Sequence, residues 1–197
     1  MMLYRLVKSI LAPLMQIWLR IDVIGLENIP NTGSVVLASN HVSLLDPPLI
    51  GSLVDRKVHF MAKDELFKNC ITNYVFTKLG AFPVKRGCAD RNAIKKALDI
   101  LAENKILAIF PEGTRSKNGS LSPLEAGAMM IAVKSKSTVV PVAIKGPEKL
   151  SFTNLFPKVK IIFGKPLMIN TEDNCKERMT ELTKCLSESI SEQLKKM

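Results

Sequence analysis

Histidine is scarce in this chain of 197 residues, which carries two, and its four cysteines, Cys70, Cys88, Cys175 and Cys185, form no CxxC pair. Such a set supplies no recognisable metal-ligand pattern, so no metal is expected. It supplies no disulfide framework either, and with no secretory cleavage site apparent it fits a reduced cytosolic setting. Aromatic residues are 6% of the chain, and no RNA-binding, helix-turn-helix or zinc-finger pattern occurs, which argues against a nucleic-acid partner. A P-loop and a GxSxG nucleophile elbow are both missing. The most apolar stretch, Ile10 to Leu19, is interrupted by Pro13 and Gln16. It is far shorter than the roughly 20 residues that cross a bilayer, so no transmembrane helix is expected. With no repeat, low-complexity segment or Pro/Gly/Ser-rich linker, the chain reads as one domain.

Apolar side chains and positive charge are what the sequence does have. Hydrophobic residues are 47% and charged residues 23%, with a mean hydropathy of +0.14, which excludes intrinsic disorder. The 28 Lys and Arg against 18 Asp and Glu give a net charge of +10. A surface so charged attracts an anion, whether nucleic acid, anionic lipid or an acidic substrate. Part of the apolar excess sits in residues 1–20, where Leu3, Leu6, Val7, Ile10, Leu11, Leu14, Met15, Trp18 and Leu19 recur at helical spacing beside Arg5, Lys8 and Arg20. That spacing predicts an amphipathic helix, which taken alone fits docking on a protein core as well as lying in a lipid headgroup layer.

Short apolar runs follow, at Ile21 to Ile24, Val35 to Ala38, Val58 to Met61, Ala81 to Val84, Ile106 to Phe110, Val139 to Ile144 and Val159 to Phe163. Runs of this kind are strands buried on both faces of a sheet. Helical patterns alternate with them at Pro47 to Val54, Ile71 to Leu79, Asp90 to Glu103 with Asp90 as N-cap, Pro123 to Lys134 and Glu172 to Lys196. The alternation predicts an α/β fold, a mostly parallel central sheet covered by helices.

Two polar clusters follow directly on such strands. Asn40-His41-Val42-Ser43-Leu44-Leu45-Asp46-Pro47 places an imidazole and a carboxylate five residues apart. Imidazole accepts a proton near neutral pH, and a carboxylate on its other nitrogen fixes the tautomer. Pro47 suits the first position of a helix, which makes Asp46 a candidate N-cap with one oxygen left for His41. The pair alone fits a plain cap beside a hydrogen-bonded loop histidine better than a catalytic dyad, because His with a nearby Asp is common. The other histidine, His59, lies on a strand that holds Asp55 and Asp64 away from its ring, and reads as structural. Phe110-Pro111-Glu112-Gly113-Thr114-Arg115-Ser116 gathers Arg, hydroxyls and a flexible glycine, groups that grip phosphate; a local Glu112 to Arg115 ion pair fits equally well. Arg86, after Gly80-Ala81-Phe82-Pro83-Val84-Lys85, is a further anion ligand or a solvated strand end. Pro141, inside an apolar strand, signals an edge, a bulge or a bend near a ligand.

The order Asn40-His41-x4-Asp46, Gly80-x5-Arg86, Phe110-Pro111-Glu112-Gly113-Thr114-Arg115 and Val140-Pro141-Val142 resembles the four blocks of the glycerophospholipid acyltransferases, in their 1-acyl-sn-glycerol-3-phosphate acyltransferase branch. Gly25-Leu26-Glu27-Asn28-Ile29-Pro30 resembles that branch's lead-in, and the likeness runs over about residues 21 to 165. It implies an O-acyltransferase that makes phosphatidate in phospholipid biosynthesis from lysophosphatidate and an acyl thioester, either acyl-CoA or acyl carrier protein, with no other cofactor. It implies His41 as catalytic base with Asp46 as its partner, and Asn40, Lys63, Arg86, Glu112, Gly113, Thr114 and Arg115 as substrate-binding groups. Pro141 falls on the acyl-donor side or beneath the site. Glu125 and Ala126 depart from the pattern, standing where related sequences often carry basic residues. Lipid substrates also favour the membrane for residues 1–20, making a peripheral protein on the cytoplasmic face of the cell membrane, with the acyltransferase domain at 21–197. Glycerol 3-phosphate or another lysophospholipid as acceptor, and a catalytically silent lipid-binding scaffold, are the alternatives.

Overall fold

A computed structural model describes the chain except for residues 1, 86, 88–89, 117–118, 147–156, 168 and 170–175. In chain order the elements are α1 (Met2–Leu19), β1 (Ile21–Ile24), β2 (Val35–Ser39), α2 (Asp46–Leu53), β3 (Val58–Lys63), α3 (Cys70–Lys78), β4 (Ala81–Val84), α4 (Arg91–Ala102), β5 (Ile106–Ile109), α5 (Gly127–Ser135), β6 (Thr138–Lys145), β7 (Val159–Phe163) and α6 (Lys176–Lys195). All seven apolar runs are strands of one sheet, ordered β1-β7-β6-β2-β5-β3-β4. The five strands β6, β2, β5, β3 and β4 run parallel, while β7 is antiparallel to β6 and carries β1 beside it. The fold is a single α/β domain with a mostly parallel sheet flanked by helices.

Covering both faces makes the central strands apolar throughout, and every residue of β2 is buried. Val35 and Leu37 enter one core with Met15 and Leu19 of α1 and Leu49, Ile50 and Leu53 of α2. Val36 and Ala38 enter the other with α4, α5 and Leu182, Leu186 and Ile190 of α6. α4 shows how such a helix is specified. Asp90 caps it by accepting from the Asn92 and Ala93 amides, and Ala93, Ala97, Ile100 and Leu101 place one apolar stripe on the sheet. α1 docks by Met15 and Leu19, yet Leu6, Ile10, Leu14 and Ile17 remain exposed, so docking leaves an outward apolar face. No helix among the described residues is long and apolar enough to cross a membrane.

Three details differ from the sequence reading. α5 begins at Gly127 instead of Pro123, and the preceding chain is fastened to the β5 turn: Ser122 N–H donates to Glu112 and Glu125 N–H to the Pro111 carbonyl. Asp46 is the first residue of α2 and the N-cap is Leu45, which has no capping side chain; the Asp46 carboxylate turns back toward the loop. Pro141 sits on interior strand β6, where its carbonyl accepts from Gly164 beyond β7 while Val139 accepts from Leu167. Its missing N–H faces Gly164, just past the end of β7 at Phe163, so the ladder bond forgone lies at the end of the pairing and not within it.

Candidate active site

Parallel strands bring their carboxyl ends to one edge, and the polar clusters are the loops at that edge. The chain after β2 leaves for α2 on one face of the sheet, and the chain after β5 leaves for α5 on the other. Between β2 and β5 the connections therefore diverge, the crevice position at which open α/β sheets bind ligands. His41 comes from the β2 side and Phe110 to Arg115 from the β5 side.

The His41 ring is fixed on three sides. Its Nδ1 lies 2.7 Å from Asp46 Oδ2, its face stacks on Phe110 with centroids 4.2 Å apart, and its main chain is held at both ends. His41 N–H donates to Glu112 Oε1 at 2.7 Å, and its carbonyl accepts from Ser116 N–H at 2.8 Å. Asp46 Oδ2 also accepts from the amides of Val42 at 2.7 Å and Ser43 at 2.8 Å. An oxygen taking two amide donors is acceptor-only toward the ring, so in the neutral imidazole Nδ1 carries the proton and Nε2 the lone pair. Both side chains are buried, Asp46 at 1% exposure and His41 at 7%. No described residue hydrogen-bonds Nε2.

Glu112 is buried as well, and its second oxygen accepts from Ser122 N–H at 2.9 Å. It thus joins three segments: the β2 loop, its own turn and the approach to α5. No ion pair joins Glu112 to Arg115 among the described residues, and Arg115 is exposed. Gly113, at φ +68° in the turn closed by its own N–H to the Phe110 carbonyl, has a backbone that favours glycine. A Cβ there would come within 3.3 Å of Glu125 Oε1. Asn40, expected among the substrate-binding groups, has its side chain committed within the fold. It is 1% exposed, and its amide is spent on both polar groups of Ile144, donating to the carbonyl at 2.9 Å and accepting from the N–H at 2.7 Å. It fastens the β2 loop to β6.

Thr114 and Arg115 are exposed on the turn beside this frame. Lys63 ends β3 on the same edge of the sheet, exposed and paired to Glu65 Oε1 at 2.8 Å. Arg86, with Cys88 and Cys175, lies outside the described residues. The structure thus joins His41, Asp46 and Glu112 in one buried network and leaves Thr114, Arg115 and Lys63 at its rim. Sequence reasoning missed the backbone-clamping roles of Glu112 and Asn40, which have no local signature because their partners are 71 and 104 residues away. Among the described residues no group of His, Cys, Asp and Glu gathers to hold a metal ion.

A family model described as Acyltransferase matches residues 20–145. The chain belongs to the acyltransferase family. This acyltransferase is 35% identical over 177 residues to the 1-acyl-sn-glycerol-3-phosphate acyltransferase of Bacillus subtilis, covering 87% of each chain. It is 32% identical to the chloroplastic 1-acyl-sn-glycerol-3-phosphate acyltransferase BAT2 of Brassica napus, over 74% of this chain and 44% of that longer protein. The crystal structure of the 1-acyl-sn-glycerophosphate (LPA) acyltransferase PlsC from Thermotoga maritima superposes with a TM-score of 0.74 at 28% identity, covering 96% of this chain and 79% of that one. The acyltransferase's matched region contains every residue of the His41 network, from Asn40 through Glu112 to Ile144.

Proposed function

We propose that this acyltransferase moves a fatty acyl group from a thioester to the sn-2 hydroxyl of 1-acylglycerol 3-phosphate, making phosphatidate. The observation that carries the reading is the His41 to Asp46 pair, with Nδ1 committed to the carboxylate and Nε2 left as a base. An alcohol is almost un-ionised at neutral pH, so His41 Nε2 takes its proton as the oxygen attacks the thioester carbonyl. Asp46 holds the resulting imidazolium by a charge-assisted hydrogen bond without taking the proton. The thiolate leaves and recovers the proton from His41. A thioester is already activated, so no protein nucleophile is needed.

Thr114 and Arg115, exposed beside the base, are suited to grip the acceptor phosphate, with Arg86 as the further cation and Lys63 toward the thioester oxygen. Asn40 and Glu112 act through the position of His41. The acyl donor is acyl-CoA or acyl carrier protein, both acidic partners for a chain of charge +10. The outward face of α1, with Leu6, Ile10, Leu14 and Ile17 beside Arg5 and Lys8, lies in an anionic headgroup layer on the cytoplasmic face of the membrane.

The test is one assay panel of thiol release by the pure protein, with lysophosphatidate, glycerol 3-phosphate and other lysophospholipids crossed against both donors. Lysophosphatidate turnover that vanishes in His41→Ala is the expected result. Preference for another acceptor would replace the substrate, and near-normal turnover in His41→Ala would remove the mechanism.

A further inference from the structure

α3 is a helix without a buried residue. Ile71, Tyr74 and Val75, spaced as one stripe, are 70%, 60% and 38% exposed, and Leu66 in the preceding turn is 44% exposed. α4, on the same sheet, turns its stripe to the core; α3 turns its own to the outside. From Leu66 to residue 89 the sequence has no Asp or Glu, while Lys68, Lys78 and Lys85 fall within that stretch. The first 21 residues are equally free of acid, and they hold the exposed face of α1.

The two surfaces adjoin. Lys57 Nζ lies over the Tyr4 ring of α1 at 5.2 Å and donates to the Lys78 carbonyl at the end of α3 at 3.1 Å. One side chain thus spans the first turn of α1 and the last turn of α3. The steps β2 to β3 and β3 to β4 cross the sheet in the same direction. Right-handed crossovers then place α2 and α3 on one face, the face on which α1 packs against α2.

We propose that α3, with Leu66, is a second lipid-contact element that together with α1 seats this face of the protein on an anionic phospholipid bilayer. The proposal rests on the membrane-surface reading of α1 given above. Charge selects the occupant: α1 and α3 carry no acid of their own and are edged by lysines, and the nearby acids Asp55 and Glu65 each face a cation, Lys8 and Lys63; such a surface matches acyl chains beneath anionic headgroups, whereas a second copy of the chain would set lysine against lysine. Tyr74, with Lys78 Nζ 5.5 Å from its ring centroid, has the apolar body and polar tip that suit the headgroup level.

Vesicle sedimentation of the full chain tests it, on phosphatidylcholine with and without phosphatidylglycerol. Ile71→Gln combined with Tyr74→Gln should weaken binding to the anionic vesicles about tenfold, with turnover of a short-chain, water-soluble lysophosphatidate unchanged. Tyr74→Trp in a Trp18→Phe background should give blue-shifted emission that brominated acyl chains quench. Unchanged vesicle binding by the double variant, or a reporter quenched only from the aqueous phase, overturns the proposal. So does a double variant that keeps vesicle binding but raises KM for acyl carrier protein, which would make this a protein-docking surface. Leu14→Gln with Ile17→Gln separates the two readings. Loss in that α1 variant alone overturns the α3 proposal and keeps the reading of α1; loss in the α3 variant alone does the reverse.

Discussion

The two histidines stand near opposite ends of the parallel sheet, and they differ in what the surrounding chain has placed around them. His41, past the carboxyl end of β2, has a buried carboxylate on Nδ1, an aromatic face beneath it and its main chain tied at both ends. His59, at the amino end of β3, has Lys57, Lys105 and Glu103 as charged neighbours and a backbone hydrogen bond at Gly80, and its buried Nε2 has no partner. Burial first, and those lysines second, push its pKa down to about 4. It lines a groove of about 610 Å³ between α4 and the β3 and β4 edge, which no residue of the His41 loop enters. One imidazole is mounted on a carboxylate, the arrangement the proposed base needs; the other is set to stay neutral. What suits a histidine to be a base is a carboxylate behind it and a rigid mount, neither of which is a property of the residue.

Removing the His41 side of that contrast has the largest expected effect. His41→Ala and Asp46→Asn should each lower turnover by on the order of 100-fold or more. Asp46→Asn is the sharper of the two, because an amide oxygen at the Oδ2 position keeps all three hydrogen bonds and removes only the charge. Steady-state thiol release together with an unchanged circular dichroism spectrum checks both variants. Asp46→Asn with near-normal turnover would reduce the carboxylate to a loop brace.

Glu112→Gln comes next. One oxygen becomes an NH₂ group facing a backbone N–H, so either the His41 or the Ser122 bond is lost, at a cost of about 1–3 kcal/mol of stability. Acting through the position of His41, the change should lower kcat with KM for the acceptor nearly constant. A rise in KM at constant kcat would return Glu112 to direct contact with substrate.

The sequence makes the ingredients of this contrast visible but not its mechanics. His41 and Asp46 are legible because five residues and a proline bring them together, and the seven strands because burial on both faces makes them apolar. Asp90 is legible as a cap because its partners are two and three residues on. Glu112 and Asn40 are not, because what they hold is backbone on a distant segment, and any strand neighbour presents the same N–H and C=O groups. The fastening of the chain before α5 is equally hidden, since the partners of the Ser122 and Glu125 amides, Glu112 and Pro111, lie 10 or more residues back. The outward stripe of α3 has the spacing of an ordinary core helix, and spacing does not say which way a stripe faces.

Arg115 sharpens the comparison from the rim, where groups are exposed and unfixed. Arg115→Ala should raise KM for lysophosphatidate roughly tenfold with a smaller effect on kcat, since a lost phosphate grip weakens ground state and transition state alike. Arg115→Lys should recover only part of the loss if the grip is two-pronged. Initial-rate kinetics across acceptor concentrations separate these outcomes.

His59 gives the smallest effect and the one confined to stability. Its folded-state pKa of about 4 lies below the ordinary 6.5, so between those values the unfolded chain binds a proton that the folded chain refuses. Stability therefore rises with pH across that window and is lost as pH falls toward 4. The ring is partly exposed, and after discounting for screening the loss is on the order of 1–2 kcal/mol. Lowered carboxylates such as Asp90 and Glu103 act in the same direction at the acid end, so the wild type alone does not isolate the histidine. The difference between wild type and His59→Leu does: in urea titrations at a series of pH values, the wild type should lose stability relative to His59→Leu by that amount from pH 6.5 to pH 4, with turnover near neutral pH unchanged. Parallel curves would mean that His59 titrates normally and that the two ends of the sheet do not differ as argued.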